Sequence, residues 1–310
     1  MELRPHLSLA LTVVAWAGAF PAIKWLLEAG FAPEDVAILR YAIAAPGFAL
    51  LLVLSGGLPG LGRRDGARLA LAGLLVVGGY HLALNIGTQF TTAGTSAILV
   101  ALAPGLTALI AFWAGLERMN AVRAAGLGVA FAGIVVVVLL GTGAAVSVHD
   151  AKGPAIVLLA PLAFALYNVL LKPLLGRYGL LSLTAASSLV GTLALLPFAR
   201  PRTVESVVDG TPHELGLLLF LGLACTLAGY VTWNVGLRGI GASRAVAYTY
   251  AIPPLGVLLA ALTLGERLTP WLALGGVLVV VGVALAQHAR RATPLRPPVY
   301  AAASSSISGE

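Results

Sequence analysis

Long apolar runs alternate with short polar breaks along almost the whole chain. Leu69–Thr88, Ala124–Leu140 and Trp271–Ala286 carry no charged residue. A helix needs about 20 apolar residues to cross a bilayer's hydrocarbon. The pattern predicts ten spans, at 6–28, 34–55, 67–88, 94–116, 121–141, 153–174, 181–199, 213–236, 243–264 and 270–289. The breaks carry turn chemistry, as in Gly56-Gly57-Leu58-Pro59-Gly60, Gly141-Thr142-Gly143 and Gly239-Ile240-Gly241. The runs are uniformly apolar rather than alternating, which argues against a spanning β-barrel. The expected fold class is an all-α integral membrane protein.

Composition strengthens this reading. Hydrophobic residues fill 59% of 310 positions, charged residues 10%, and mean hydropathy is +0.96. A soluble domain carries about 25% charged residues, so lipid must cover most of this surface. The net charge of +7 is spread singly or in pairs between apolar runs. It forms no basic stripe interleaved with aromatics, so no nucleic-acid partner is expected. The lone Cys225 rules out an intrachain disulfide or a cysteine metal cluster. Arg4, Leu7–Val14 and Ala15-Trp16-Ala17 imitate a signal peptide, but the apolar run continues to Leu27 and recurs in the second half. Residues 291–310 form a Pro-, Ala- and Ser-rich tail, expected to be disordered and cytoplasmic, and Ser304–Glu310 looks like an appended linker.

The second half repeats the first. An ungapped shift of 149 positions superposes Asn85 on Asn234, Gly87 on Gly236, Ala93 on Ala242 and Pro104 on Pro253. It continues with Ala111 on Ala260, Glu117-Arg118 on Glu266-Arg267, Gly126 on Gly275 and Gly133 on Gly282. Shared Asn, Pro and Glu-Arg positions in one register indicate duplication, with halves at 1–145 and 146–290. Five spans per half is an odd number, so the second copy is expected to be inverted, as in secondary transporters.

The chain resembles the drug/metabolite transporter superfamily in its ten-helix EamA-type branch. The features that carry this are Ala15-Trp16-Ala17-Gly18-Ala19-Phe20-Pro21-Ala22-Ile23-Lys24, the Glu117 and Glu266 turns, and the five-plus-five layout. The resemblance covers residues 6–289, and within the branch it is most similar to aromatic amino-acid exporters of the YddG type. It implies metabolite export from the cytoplasm without ATP, across a bacterial inner membrane.

The candidate chemistry starts from absences. No phosphate-binding loop, His-Glu-x-x-His or Gly-x-Ser-x-Gly motif occurs. The chain is therefore read as no enzyme, with no ATP, cofactor or metal; its partners are a small solute and lipid. Glu28, Glu34, Asp35, Glu117, Glu214 and Glu266 all sit near helix ends. Carboxylates are the usual ion couplers, so movement down the solute's own gradient is expected. Proton-coupled export of drugs or other metabolites is the alternative, and a channel a more distant one.

The deep polar residues form a matched set. His81 and Asn85 share a helix face, and the 149 shift carries them to Tyr230 and Asn234. Trp16, Phe20 and Lys24 share another, and a shift of 148 carries them to Phe164, Asn168 and Lys172. These rows are expected to converge on a central cavity, with Tyr80, Tyr167, Trp233, Tyr248 and Tyr250 as further wall residues. Amides and aromatic faces suit a zwitterion with an apolar tail. His81 is the sharpest candidate, being the one deep histidine, and it is the residue on which proton coupling would rest. Against this stand plainer roles: interhelical hydrogen bonds for the Asn pair, packing for single aromatics, and snorkelling for Lys24 and Lys172. Arg40 is read as snorkelling or paired with Glu34 or Asp35. Pro104, Pro253 and Pro254 are hinge candidates or simple bends. Gly126, Gly133, Gly275 and Gly282 are read as close-packing sites, with a dimer face second.

Ten spans return the chain to its starting side. That side gathers Arg4, Arg63, Arg64, Arg68, Arg118, Arg123, Lys172, Arg177, Arg238, Arg244, Arg290, Arg291 and Arg296. Lys152, Arg200, Arg202 and Arg267 fall on the other. The excess places both termini in the cytoplasm. A cysteine introduced at Arg64 is therefore expected to react with an impermeant maleimide only from the cytoplasmic side. Labelling from outside intact cells would reverse the topology.

Overall fold

The computed structural model describes residues 3–141 and 151–291. The division between the halves at 145/146, the Thr142-Gly143 part of its turn, and the tail from 292 onward lie outside the described residues. Ten helices are long and apolar enough to cross a membrane. They are α1 (Leu3–Glu28), α2 (Pro33–Leu54), α3 (Arg63–Gln89), α4 (Ala93–Trp113), α5 (Ala121–Leu140), α6 (Lys152–Tyr178), α7 (Leu180–Phe198), α8 (Pro212–Ile240), α9 (Arg244–Leu264) and α10 (Pro270–His288).

Local signals set the helix ends. Pro33 opens α2, with Glu34 and Asp35 in its first turn, where the helix dipole favours acids. Asn120 caps α5 by accepting from the Arg123 amide at 2.8 Å. Thr211 and Glu214 form a reciprocal capping box that starts α8. Between α7 and α8, where the sequence predicts only a break, Pro201–Val208 forms an eight-residue helix. Pro201 supplies its first turn, and the Thr203 hydroxyl accepts from the Arg200 amide. Apolar run length cannot reveal so short an element.

Two pairs of equivalent helices are irregular in equivalent places. In α3, Leu74–Tyr80 winds as a π-helix before the α-helix resumes at His81. In α8, Phe220–Ala228 does the same before Gly229. The 149 shift carries 74–80 to 223–229, so the wide turns overlap. In α4, the helix breaks at Ala101-Leu102 and restarts at Ala103, with Pro104 in the new first turn. In α9, it breaks at Tyr250-Ala251 and restarts at Ile252, with Pro253 in the new first turn. Proline cannot continue an upstream hydrogen-bond ladder but is tolerated in a first turn.

The halves interleave rather than sit side by side. α1 packs on α8 and α9, and α6 packs on α3 and α4. α2 lies against α7 and α8, and α7 against α2 and α3. Glycines make these contacts intimate, and each contact has its symmetry mate. Gly126 lies against Gly282 and Ala286, and Gly133 against Gly275 and Val279. These pairs also show that α5 and α10 run antiparallel. Gly87 meets Val157, and its counterpart Gly236 meets Leu9. Gly73 meets Gly191, and its counterpart Gly222 meets Ile43. Residue i touching the copy of j, while j touches the copy of i, is the signature of a two-fold relation. The four α5 and α10 glycines are thus occupied within the chain.

These contacts set an expectation for stability. A Cβ on Gly282 would fall 2.3 Å from the Ala130 amide nitrogen and 2.6 Å from the Gly126 oxygen. Backbone cannot give way as a side chain can, so Gly282→Ala should destabilise by about 1–3 kcal/mol. Gly128, which has nothing within 4 Å, is the control, and Gly128→Ala should hold or raise stability. Melting in detergent, followed by fluorescence, checks both.

Candidate functional site

The face of α3 just beyond its π turn carries the first part of the site. His81 is 3% exposed, and its Nε2 lies 2.9 Å from the Tyr41 hydroxyl of α2. Its ring stands edge-on to Tyr80 at 4.7 Å and to Tyr41 at 4.9 Å. Tyr80 then meets Phe164 of α6 at 5.6 Å, and Phe164 stacks on Tyr167 at 5.6 Å. On the other side, Trp16 of α1 meets Tyr230 at 5.9 Å and Trp233 at 5.6 Å, both on α8. The Trp16 indole donates to the Cys225 carbonyl at 2.9 Å. Phe48 of α2 lies 6.2 Å from Tyr230. Tyr41, Tyr80 and Tyr230 all feel the charge of Arg40. Helices from both repeats therefore build one aromatic and polar cluster, with α1 and α6 entering it as symmetry mates.

Other sequence candidates stand apart from the cluster. Asn85 is 1% exposed, and its Nδ2 donates to the Pro33 carbonyl at 2.9 Å, tying α3 to the start of α2. Its Oδ1 and the His81 Nδ1 are buried without a hydrogen-bond partner. Phe20 is buried beside Gly256 of α9. Asn234 is buried and Asn168 half-buried, and neither contributes a ring or hydrogen bond to the cluster. Tyr248 pairs with Nδ1 of His6 in the first turns of α1. Tyr250 sits at the break in α9 and packs on the buried apolar core. Pro104 and Pro253 open the second segments of α4 and α9, and Pro254 beside the latter is exposed.

Arg40 requires a correction. The sequence reading gave it Glu34 or Asp35 as partner, or a snorkelling role. Instead, Glu34 lies 3.9 Å from Arg200, and Asp35 accepts from the Thr203 hydroxyl. Arg40 is buried, with its Nε donating to Thr226 Oγ1 of the α8 π turn at 2.6 Å. Glu34 and Asp35 sit in the first turn of α2 and face the Pro201–Val208 segment, which sequence reasoning did not anticipate. Tyr41, Phe48 and Thr226 were also missed. The isolated Arg40-Tyr41 pair inside an apolar run was the available signal.

The two equivalent glutamates both reach across the repeats. Glu266, on the turn before α10, accepts from the Ala93 amide at 2.6 Å and the Gly94 amide at 3.0 Å, at the start of α4. Glu117, on the turn before α5, lies 2.6 Å from Arg123 and 2.8 Å from Lys172 of α6. Lys24 reaches the Thr88 carbonyl at 3.2 Å and Glu28 at 3.5 Å. A cleft of about 170 Å³ is lined by Glu34, Ile38, Leu82, Leu195, Phe198 and Arg200.

A multi-pass helical membrane protein whose two interleaved repeats enclose a polar cluster has the build of a solute transporter. The family profile of the EamA-like transporter family matches residues 3–139 and again 151–287, and the chain belongs to that family. It is 31% identical over 275 residues to an "Uncharacterized transporter" of Archaeoglobus fulgidus, covering 89% of this chain and 95% of that one. It is also 31% identical over 281 residues to a "Probable terminal-alkyne amino-acid exporter" of Streptantibioticus cattleyicolor, covering 90% and 91%. "Uncharacterized transporter YdfC" of Bacillus subtilis is 30% identical over 278 residues, covering 89% of each chain. One solved crystal structure, 18% identical, superposes with a TM-score of 0.58 over 94% of this chain and all of the other, a likeness of fold.

The Glu266 contact sets an expectation. Its carboxylate meets two amides at a helix N-terminus, where negative charge is favoured. Glu266→Gln keeps the shape and removes the charge, and should cost about 1 kcal/mol. A lowered melting temperature with unchanged helical circular dichroism would report it.

Proposed function

We propose that this transporter exports small metabolites, foremost amino acids with aromatic or other apolar side chains, by alternating access at the cluster between its two repeats. The observation that carries the reading is the meeting of Trp16 of α1 and Phe164 of α6 with the α8 and α3 faces that hold Tyr230 and His81. Aromatic faces and neutral hydrogen-bonding groups suit an apolar side chain and a zwitterionic head. The amino-acid exporter named among the relatives supports that substrate class. No Asp or Glu belongs to the cluster as described, which favours movement down the solute's own gradient out of a bacterial cytoplasm. The halves would rock about the breaks at Pro104 and Pro253, where the α-helical ladder gives way to bonds spanning three residues, such as Leu102 N–H to the Leu99 carbonyl and Ala251 N–H to the Tyr248 carbonyl.

The unpartnered His81 Nδ1 favours a second reading, proton-coupled export of drugs or other metabolites. Uptake of a labelled amino-acid panel into proteoliposomes, with and without an imposed proton gradient, separates the two. Saturable uptake of aromatic or branched amino acids, unchanged by the gradient, is expected. Gradient-dependent uptake would select the coupled reading, and no saturable amino-acid uptake would remove the amino-acid reading.

A further inference from the structure

Arg40 is the eighth residue of α2, roughly 10 Å along the helix from its start. A charge at such a place is costly and needs a counter-charge or a function. Arg40 and Arg123 are the buried arginines among the described residues, at 7% and 3% exposure. Arg123 has Glu117 at 2.6 Å. Arg40 has no carboxylate within 4.0 Å among the described residues.

Its one protein hydrogen bond fixes its direction. Thr226 Oγ1 donates its proton to the Leu221 carbonyl at 2.8 Å, a bond made within the π turn. Towards Arg40 the same oxygen can only accept, and it takes the Nε hydrogen at 2.6 Å. Both Nη groups are left without a hydrogen bond to another described residue. The guanidinium charge is felt by His81, Tyr41, Tyr80, Tyr230 and Cys225. The 148 shift carries Arg40 onto Ser188, so the charge belongs to one half only.

We propose that Arg40 anchors a carboxylate of the transported solute through its two Nη groups, between α2, α3 and α8. This deepens the transport reading above and rests on it. A planar guanidinium matches a carboxylate with two parallel hydrogen bonds. The solute class is a monocarboxylate with an apolar or aromatic tail. An ammonium group on it meets no fixed carboxylate at this cluster, so the faces of Trp16 and Tyr230 receive it. Carboxylate thus ranks above ammonium in recognition.

The test uses the full chain in detergent in chloride-free sulfonate buffer at pH 7, with melting temperature as readout. Probes are L-phenylalanine, 3-phenylpropanoate, L-phenylalaninamide and potassium chloride. Both acids at millimolar concentration should raise the wild-type midpoint by about 2 °C or more, and the amide and chloride should not. Arg40→Gln should lose the acid response while melting at or above wild type without ligand, because an uncompensated buried charge has been removed. Arg40→Lys keeps the charge without the fork, and should bind the acids several-fold more weakly should the Gln variant fail to fold. Equal stabilisation by acid and amide, chloride reproducing the whole effect, no response to either acid, or an intact acid response in both variants would each overturn the anchor. Arg40-dependent binding of 3-phenylpropanoate without uptake of any amino acid would leave the anchor standing and remove amino acids as cargo. Amino-acid uptake untouched by Arg40→Gln would do the reverse.

Discussion

The close approach of backbones at glycine is the constraint from which the rest of the arrangement follows. Lipid tails are as apolar as leucine, so helices in a bilayer gain little from hydrophobic burial against each other. Association must come from dense packing. Here that packing is supplied by Gly126 and Gly133 against Gly282 and Gly275, and again by Gly87 with Val157 and Gly236 with Leu9. The contacts run between halves, so neither half is completed alone. The polar cluster exists because α1 is held against α8, and α6 against α3.

Within that frame, symmetry and its violation divide the work. Backbone features come in pairs: the wide turns of α3 and α8, the breaks of α4 and α9, the cross-repeat glutamates. Side chains at the cluster do not. Trp16 answers to Phe164, His81 to Tyr230, and Arg40 to Ser188. A nearly symmetric backbone thus carries an asymmetric lining.

Much of the fold was legible because its signals are long. Ten apolar runs and an ungapped repeat survive small errors at the edges. The residues of the cluster were partly legible, since His81, Tyr230, Trp16 and Phe164 stand out as polar or aromatic positions related by the shift. Arg40 and Tyr41 were not placed, because their partners lie on α3 and α8, distant in sequence. Glu34 and Asp35, six and five residues away, are the nearest acids in sequence but serve Arg200 and Thr203 of the Pro201–Val208 segment. Tyr248 has the aromatic character of a cavity residue, yet its hydroxyl pairs with His6 in the first turns of α1.

The π turns have a further geometric meaning. Such a turn holds one residue more than an α turn, and the surplus can pass along a helix by exchanging one hydrogen bond at a time. Each one-residue passage turns the intervening side chains by about 100° and slides them by about 1.5 Å. Leu74–Tyr80 lies directly before His81, and Phe220–Ala228 one residue short of Tyr230. The angular position of the faces that meet at the cluster therefore depends on where each wide turn sits along its helix.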